Sequence, residues 1–322
     1  MRRCTVALIL YAGVPFAAAA QTSGTISQTI KLPSAPTSGA LSSNADRAAI
    51  AGADKKLRVW NLADGQLVHT ISLAWAETGF TAISPAGRWI IAGDPVGNVV
   101  LWNAEADKSQ MQLHFAHAPS AAAFSNDGKI LAIAPASEPI QILDIASGRK
   151  LCETGAVTGG TASIAFARNG ALIAAADTDT AVRISDARTC RLVAENRDFL
   201  LEPLAIDFTA DGMQVIAAGA DKVIVFIDAT NGKLVRKLPK IEQPVSWSSL
   251  RVSPDGKRFA TVCMTAENLD KPRPIAVWDL ATGKKQSEWM PPTVARSIGW
   301  TQDGHLISAG GEADSLFIWR IQ

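Results

Sequence analysis

Seven segments of the chain close on one pattern, and their spacing limits the possible folds more than any other feature. They read KLRVWN, NVVLWN, PIQILD, AVRISD, VIVFID, PIAVWD and SLFIWR, with Trp60, Trp102, Leu143, Ser185, Ile227, Trp278 and Trp319 at the fifth position. Successive members of this column lie 42, 41, 42, 42, 51 and 41 residues apart. A fixed period of this size marks a repeat architecture, in which each unit buries its faces only against its neighbours. Most of the runs are short, rich in Val, Ile and Trp, and bounded by Gly, Pro and Asp, as strands are.

A second column runs in register with the first. The turns SNADR, SPAGR, SNDGK, ARNGA, TADGM, SPDGK and TQDGH carry Asp46, Gly87, Gly128, Gly170, Gly212, Gly256 and Gly304 at their fourth position. The distance from there to the first column is 14, 15, 15, 15, 15, 22 and 15 residues. Glycine after Asp or Asn suits a tight hairpin that needs positive φ. A further turn and strand follow: Asp64-Gly65 before QLVHTISL, Ser147-Gly148 before RKLCE, Asn231-Gly232 before KLVRKL, Thr282-Gly283 before KKQSEW. Each unit is therefore four antiparallel strands in about 42 residues.

The stretch SPDGKRFATV…IAVWDLATGK, Ser253–Lys284, resembles the WD40 repeat, and the resemblance extends over roughly residues 24–322. It implies an all-β fold: a seven-bladed β-propeller of four-stranded antiparallel blades. Only Trp278-Asp279 is a literal Trp-Asp pair, and Leu143, Ser185 and Ile227 replace Trp in units three to five. The Gly-His pair typical of the family is missing, so its Asp-His-Ser/Thr-Trp hydrogen-bonded tetrad is expected to be incomplete. Unit seven ends at its third strand, and the family closes its ring with an N-terminal strand; Thr25–Leu32 is the available one. Closure removes two open sheet edges.

A length of 322 residues ordinarily suggests two domains, but a propeller is one. The expected division is a leader, 1–20, and a propeller, 21–322. The leader reads as a secretory signal: Arg2 and Arg3, an apolar core from Val6 to Val14, then Ala18-Ala19-Ala20 before Gln21. Its apolar run is shorter than a membrane span needs, and no other segment reads as one. A periplasmic or secreted location follows as an expectation. Three cysteines remain after the leader, Cys152, Cys190 and Cys263. An oxidising compartment permits a disulfide, and the sequence leaves open whether Cys152 and Cys190 pair; an odd number leaves at least one thiol free or paired between chains.

Net charge is +1 and the basic residues are scattered, so the electrostatic footprint of a nucleic-acid partner is absent. The four histidines, His69, His114, His117 and His305, have no ligand spacing. No nucleophile elbow, P-loop or Rossmann glycine pattern stands in its required context. The reading therefore assigns no catalytic, cofactor or metal residue. The second-to-third-strand turns are acidic: Asp54, Asp94, Glu138, Asp177 with Asp179, Asp221, Glu267 with Asp270, and Glu312 with Asp314. They would ring one face, either as a cation site or basic-partner patch, or as residues that stabilise tight turns.

Five residues make up the candidate binding face. Trp75 and Glu77 lie between units one and two, Trp247 enters unit six, and Lys271 and Arg273 belong to the insertion 264–274. Tryptophan and arginine often dominate interfaces, and long loops on a rigid scaffold commonly carry function. The expected function is a non-catalytic, monomeric scaffold for a protein or peptide partner. The alternative is an exported propeller enzyme or small-ligand binder using the central channel.

Overall fold

The computed structural model describes residues 24–42, 46–75, 77–155, 159–239, 246–264, 271–295, 297–309 and 315–321. The leader, the stretch 265–270 of the insertion, and Glu312 and Asp314 lie outside the described residues.

Glycines put the hairpin turns where the sequence column placed them. Gly87, Gly128, Gly170, Gly212, Gly256 and Gly304 all have φ between 67° and 83°, a region in which a side chain is strained. Five of these six turns are also tied by a hydroxyl, as where Ser84 Oγ accepts from the Trp89 amide, Thr209 Oγ1 from Gln214 and Ser253 Oγ from Arg258; the turn at Gly170 begins with Ala167 instead. Blade 1 corrects one member of the column. There the Ser42 amide donates to the Arg47 carbonyl, as Ser84 does to Trp89. The position equivalent to Gly87 is thus Ala45, outside the described residues, and Asp46 lies one place later. This explains the short spacing of 14 in that unit.

The strands form seven four-stranded antiparallel sheets among the described residues, and no helix occurs in them. The chain is a seven-bladed β-propeller. The inner strands are Pro36–Leu41, Phe80–Ile83, Pro119–Phe124, Thr161–Phe166, Pro203–Phe208, Ser246–Val252 and Ser297–Trp300. Each lies close to the inner strands of both neighbours, and blade 7 returns to blade 1, so the ring is shut. The second strands are the most enclosed: Ala48–Ala51, Leu131–Ala134 and Val215–Ala218 are almost fully buried. Small side chains there let neighbouring blades approach closely.

Blade 7 is completed from the other end of the chain. Thr25–Lys31 pairs antiparallel with Ser315–Arg320, from Thr25 opposite Arg320 to Lys31 opposite Ser315. Ile30 and Leu32 pack into a cluster with Trp60, Ile307, Leu316 and Ile318, joining blade 7 to blade 1. A second tie joins blades 3 and 4. Cys152, on the outer strand Lys150–Glu153, is disulfide-bonded to Cys190 in the third-to-fourth-strand turn of the next blade. Cys190 occupies a turn position that Gly65, Gly148, Gly232 and Gly283 fill elsewhere, and shares their positive φ. Cys263 is free and buried, and burial pushes its thiol pKa up to about 12.

The tryptophan column divides by whether the indole nitrogen finds an acceptor. Trp278 Nε1 donates to Thr261 Oγ1 at 3.0 Å and Trp319 Nε1 to Ser308 Oγ at 2.8 Å. In both blades the hydroxyl lies two residues beyond the partner of the tryptophan on the second strand. Register puts Ile50 and Ala92 at that place in blades 1 and 2. The buried Nε1 atoms of Trp60 and Trp102 accordingly meet no acceptor among the described residues.

Candidate functional site

Antiparallel alternation sorts the turns onto two faces. Second-to-third-strand turns and inter-blade loops share one; first-to-second and third-to-fourth turns share the other. The expected binding residues belong to the first, and the structure treats them differently. Glu77 and Lys271 are exposed, while Trp75 and Arg273 are half-buried. The Trp75 ring packs into the cluster between blades 1 and 2.

Trp247 is a correction. It is 3% exposed and lies within an inner strand, not in a loop. Its ring packs with Phe226 and Phe259, and its Nε1 donates to the Gly219 carbonyl of blade 5 at 2.9 Å. It stands five residues before Val252, as Pro203 stands before Phe208, Thr161 before Phe166 and Pro119 before Phe124. That buried column was present in the repeat. Because Trp247 is unlike its other members, it reads as a loop residue until the register is drawn back that far.

In blades 1 to 4 the acidic turns satisfy themselves, whereas in blade 5 one Asp221 oxygen accepts from the Leu200 amide and the other, buried, meets no donor among the described residues. Arg58 forks onto Asp54, and Asp94 accepts from the amides of Val96 and Asn98 and from the Asn98 side chain. Asp177 takes Thr161 Oγ1 at 2.6 Å and Arg183 at 2.7 Å. Asp179 takes Arg183 and Arg197, and both arginines also reach Glu195. Arg183 holds the Asp179 carboxyl below its ordinary range, whereas burial holds Asp177 above it. His117 pairs with Glu138 at 3.1 Å, joining an inter-blade loop to a turn. Of the two readings of these acids, turn stabilisation matches the contacts.

The opposite face holds a feature the site reading missed. A cavity of about 430 Å³ opens at that end of the central channel and is lined by all seven inner strands. Its wall carries Leu41, Ile83, Phe124, Phe166, Phe208, Val252 and Trp300, one from each blade. The preceding residue is Ala40, Ala82, Ala123, Ala165 or Gly299 in five blades, but Asp207 in blade 5 and Arg251 in blade 6. Arg168, from the turn of blade 4, is the third charged residue of the lining among the described residues. Two charges in a column otherwise built of Ala and Gly were the signal available in the sequence.

Each of the three is held differently. Arg168 reaches past blade 5 and donates to the Pro254 and Ser253 carbonyls of blade 6, at 2.6 and 2.8 Å. Asp207 accepts from the Phe208 amide at 2.9 Å and, across the blade boundary, from the Val252 amide at 2.8 Å. Burial raises its carboxyl pKa, against the pull of Arg251 and Arg168. Arg251 donates from one terminal nitrogen to the Leu250 carbonyl at 2.7 Å and is otherwise exposed to the channel.

No protein-family model matches the chain, and no curated protein matches it in sequence. The propeller class therefore rests on the sheets, their order and the closed ring.

Proposed function

We propose that the chain is a divergent WD40-type propeller, exported to the periplasm or beyond, that works as a monomeric, non-catalytic platform for a protein or peptide partner. The observation that carries this is the closed ring: strand pairing in blade 7 fixes the scaffold from which the loops of one face project. Rigid scaffolds that carry exposed loops are suited to recognition without chemistry. The WD40 assignment draws on the seven-fold register and on the Trp–hydroxyl pairs of blades 6 and 7. The Arg2-Arg3 leader and the Cys152–Cys190 disulfide support export, since disulfides persist in oxidising compartments.

The recognition surface comprises Trp75, Glu77, Lys271 and Arg273. Trp247 is excluded because it is buried. The test is affinity capture from the periplasmic fraction with the mature chain and with Trp75→Ala, Glu77→Lys and Lys271→Glu. The two charge reversals are expected to lose the partner with unchanged melting temperature. A partner retained by all three variants, or none retained by the parent, refutes the assignment of this face.

A further inference from the structure

The mouth of the central channel lies on the face opposite the loops assigned above, and its chemistry is independent of them. Blades 1 to 3 present Ala40, Ala82 and Ala123 there; blades 4 to 6 present Arg168, Asp207 and Arg251. One wall is uncharged, with three alanines in it, and the other carries the charges.

The charges do not cancel. Two guanidinium groups share the cavity with one carboxylate, and both oxygens of that carboxylate already accept backbone amides. Arg168 spends its terminal nitrogens on two carbonyls and acts as a bar across blade 5. Arg251 uses one donor on Leu250, and its remaining donors meet no acceptor among the described residues. The guanidinium is always charged and presents a planar fork suited to a carboxylate. A volume of about 430 Å³ falls within the range of small-molecule sites.

We propose that this mouth is a binding site for a monocarboxylate with a short apolar body. The carboxylate is held by Arg251 within the field of Arg168, and the apolar body lies against Ala40, Ala82 and Ala123. Inorganic phosphate carries charge without an apolar body, so it separates recognition of charge alone from recognition of the whole acid. Asp207 is a positioning residue: its bond to the Val252 amide locks the strand that carries Arg251. The carboxylate is that of a free short-chain acid or of a peptide C-terminus inserted into the channel.

Calorimetric titration of the mature chain with butyrate, butyramide, inorganic phosphate, trialanine and trialanine amide tests this. Butyrate or trialanine binds at up to about 10 mM, the affinity range reasonable for so small a ligand. The matching amide binds at least about tenfold more weakly, because a charge-assisted hydrogen bond is worth that factor; phosphate, which has no apolar body to lie against the alanines, also binds more weakly than the acids. Butyrate alone identifies a free acid; trialanine alone identifies a peptide terminus. The variant R251Q, whose melting temperature is expected to match the parent, loses at least about tenfold in affinity. R251K, which keeps the charge without the fork, recovers part of the loss. No binding by either carboxylate, equal binding of acid and amide, tighter binding of phosphate, or full affinity in R251Q overturns the proposal. None of these outcomes bears on partner capture by the loop face, which uses different residues.

Discussion

The disulfide between blades 3 and 4 allows a quantitative test of how the ring is held. Cys152 and Cys190 are separated by 38 residues in sequence. In the chain-entropy treatment, a loop of that length removes about 4 kcal/mol of unfolded-state entropy, and measured native disulfides span about 2–4 kcal/mol. The clean perturbation is a Cys152→Ala, Cys190→Ala pair on a Cys263→Ala background of the mature chain, which lacks Cys4, so that no other thiol can exchange. At about 2 °C per kcal/mol for a chain of this size, the pair lowers the melting temperature by about 4–8 °C. Reduction of the background protein, verified by alkylation of two thiols, produces the same shift. The left-handed backbone at Cys190 remains in the alanine variant, so the difference reports the cross-link. A shift below about 1 kcal/mol in both experiments would refute the claim that this bond restrains the unfolded chain.

Three further outcomes follow from other parts of the molecule. Ala92→Ser places a hydroxyl where Ser308 and Thr261 stand in their blades, gives Trp102 Nε1 an acceptor, and raises stability by about 1 kcal/mol by denaturant titration; an unchanged or lowered midpoint counts against the register argument. Deleting residues 24–32 strips Ile30 and Leu32 from their cluster and bares the Ser315–Arg320 edge, so size-exclusion chromatography should show self-association; a stable, monomeric truncation would rule out closure by this strand. Stability should hold from neutral pH down to about 5 and fall below about 4. Hydrogen bonds from Ser125, Thr209 and Thr301 depress the carboxyl pKa of Asp127, Asp211 and Asp303 below the ordinary 3.8. Their contribution is present above that value and is lost as pH falls through the lower folded value. Burial raises Asp177 and Asp207, which has the opposite sign and offsets the first part of the loss. Midpoints at successive pH values that decline steadily from pH 7 would contradict this balance.

Fold was legible because two columns of residues repeat in register, and backbone conformation depends locally on them: a glycine at six of the seven hairpins, and a Trp, Leu or Ile at six of the seven strand positions. The site was less legible because exposure depends on register beyond the motif. Trp247 looked like a loop residue, yet the inner strand of blade 6 extends back to Ser246 and carries it into the interface with blade 5. Arg251 and Asp207 were not picked out at all, since residues 44 apart in sequence become neighbours only after blades 5 and 6 pack. The Cys152–Cys190 distance was likewise set by how two blades stack, which no within-unit pattern encodes.

The pairing of Thr25–Lys31 with Ser315–Arg320 also has a consequence in time. The strand needed last is made first, and its partner is made almost 300 residues later. At about 5–20 residues per second, that interval is about 15–60 s. Throughout it the early blades can form from contiguous strands, but Thr25–Lys31 has no partner, the blade 1 face that will meet blade 7 stays uncovered, and the ring cannot exist. Contacts of such long sequence separation close slowly. The growing chain therefore passes through a long-lived open arc, and whatever shields its unpaired first strand and uncovered blade faces during that interval governs the yield of folded protein.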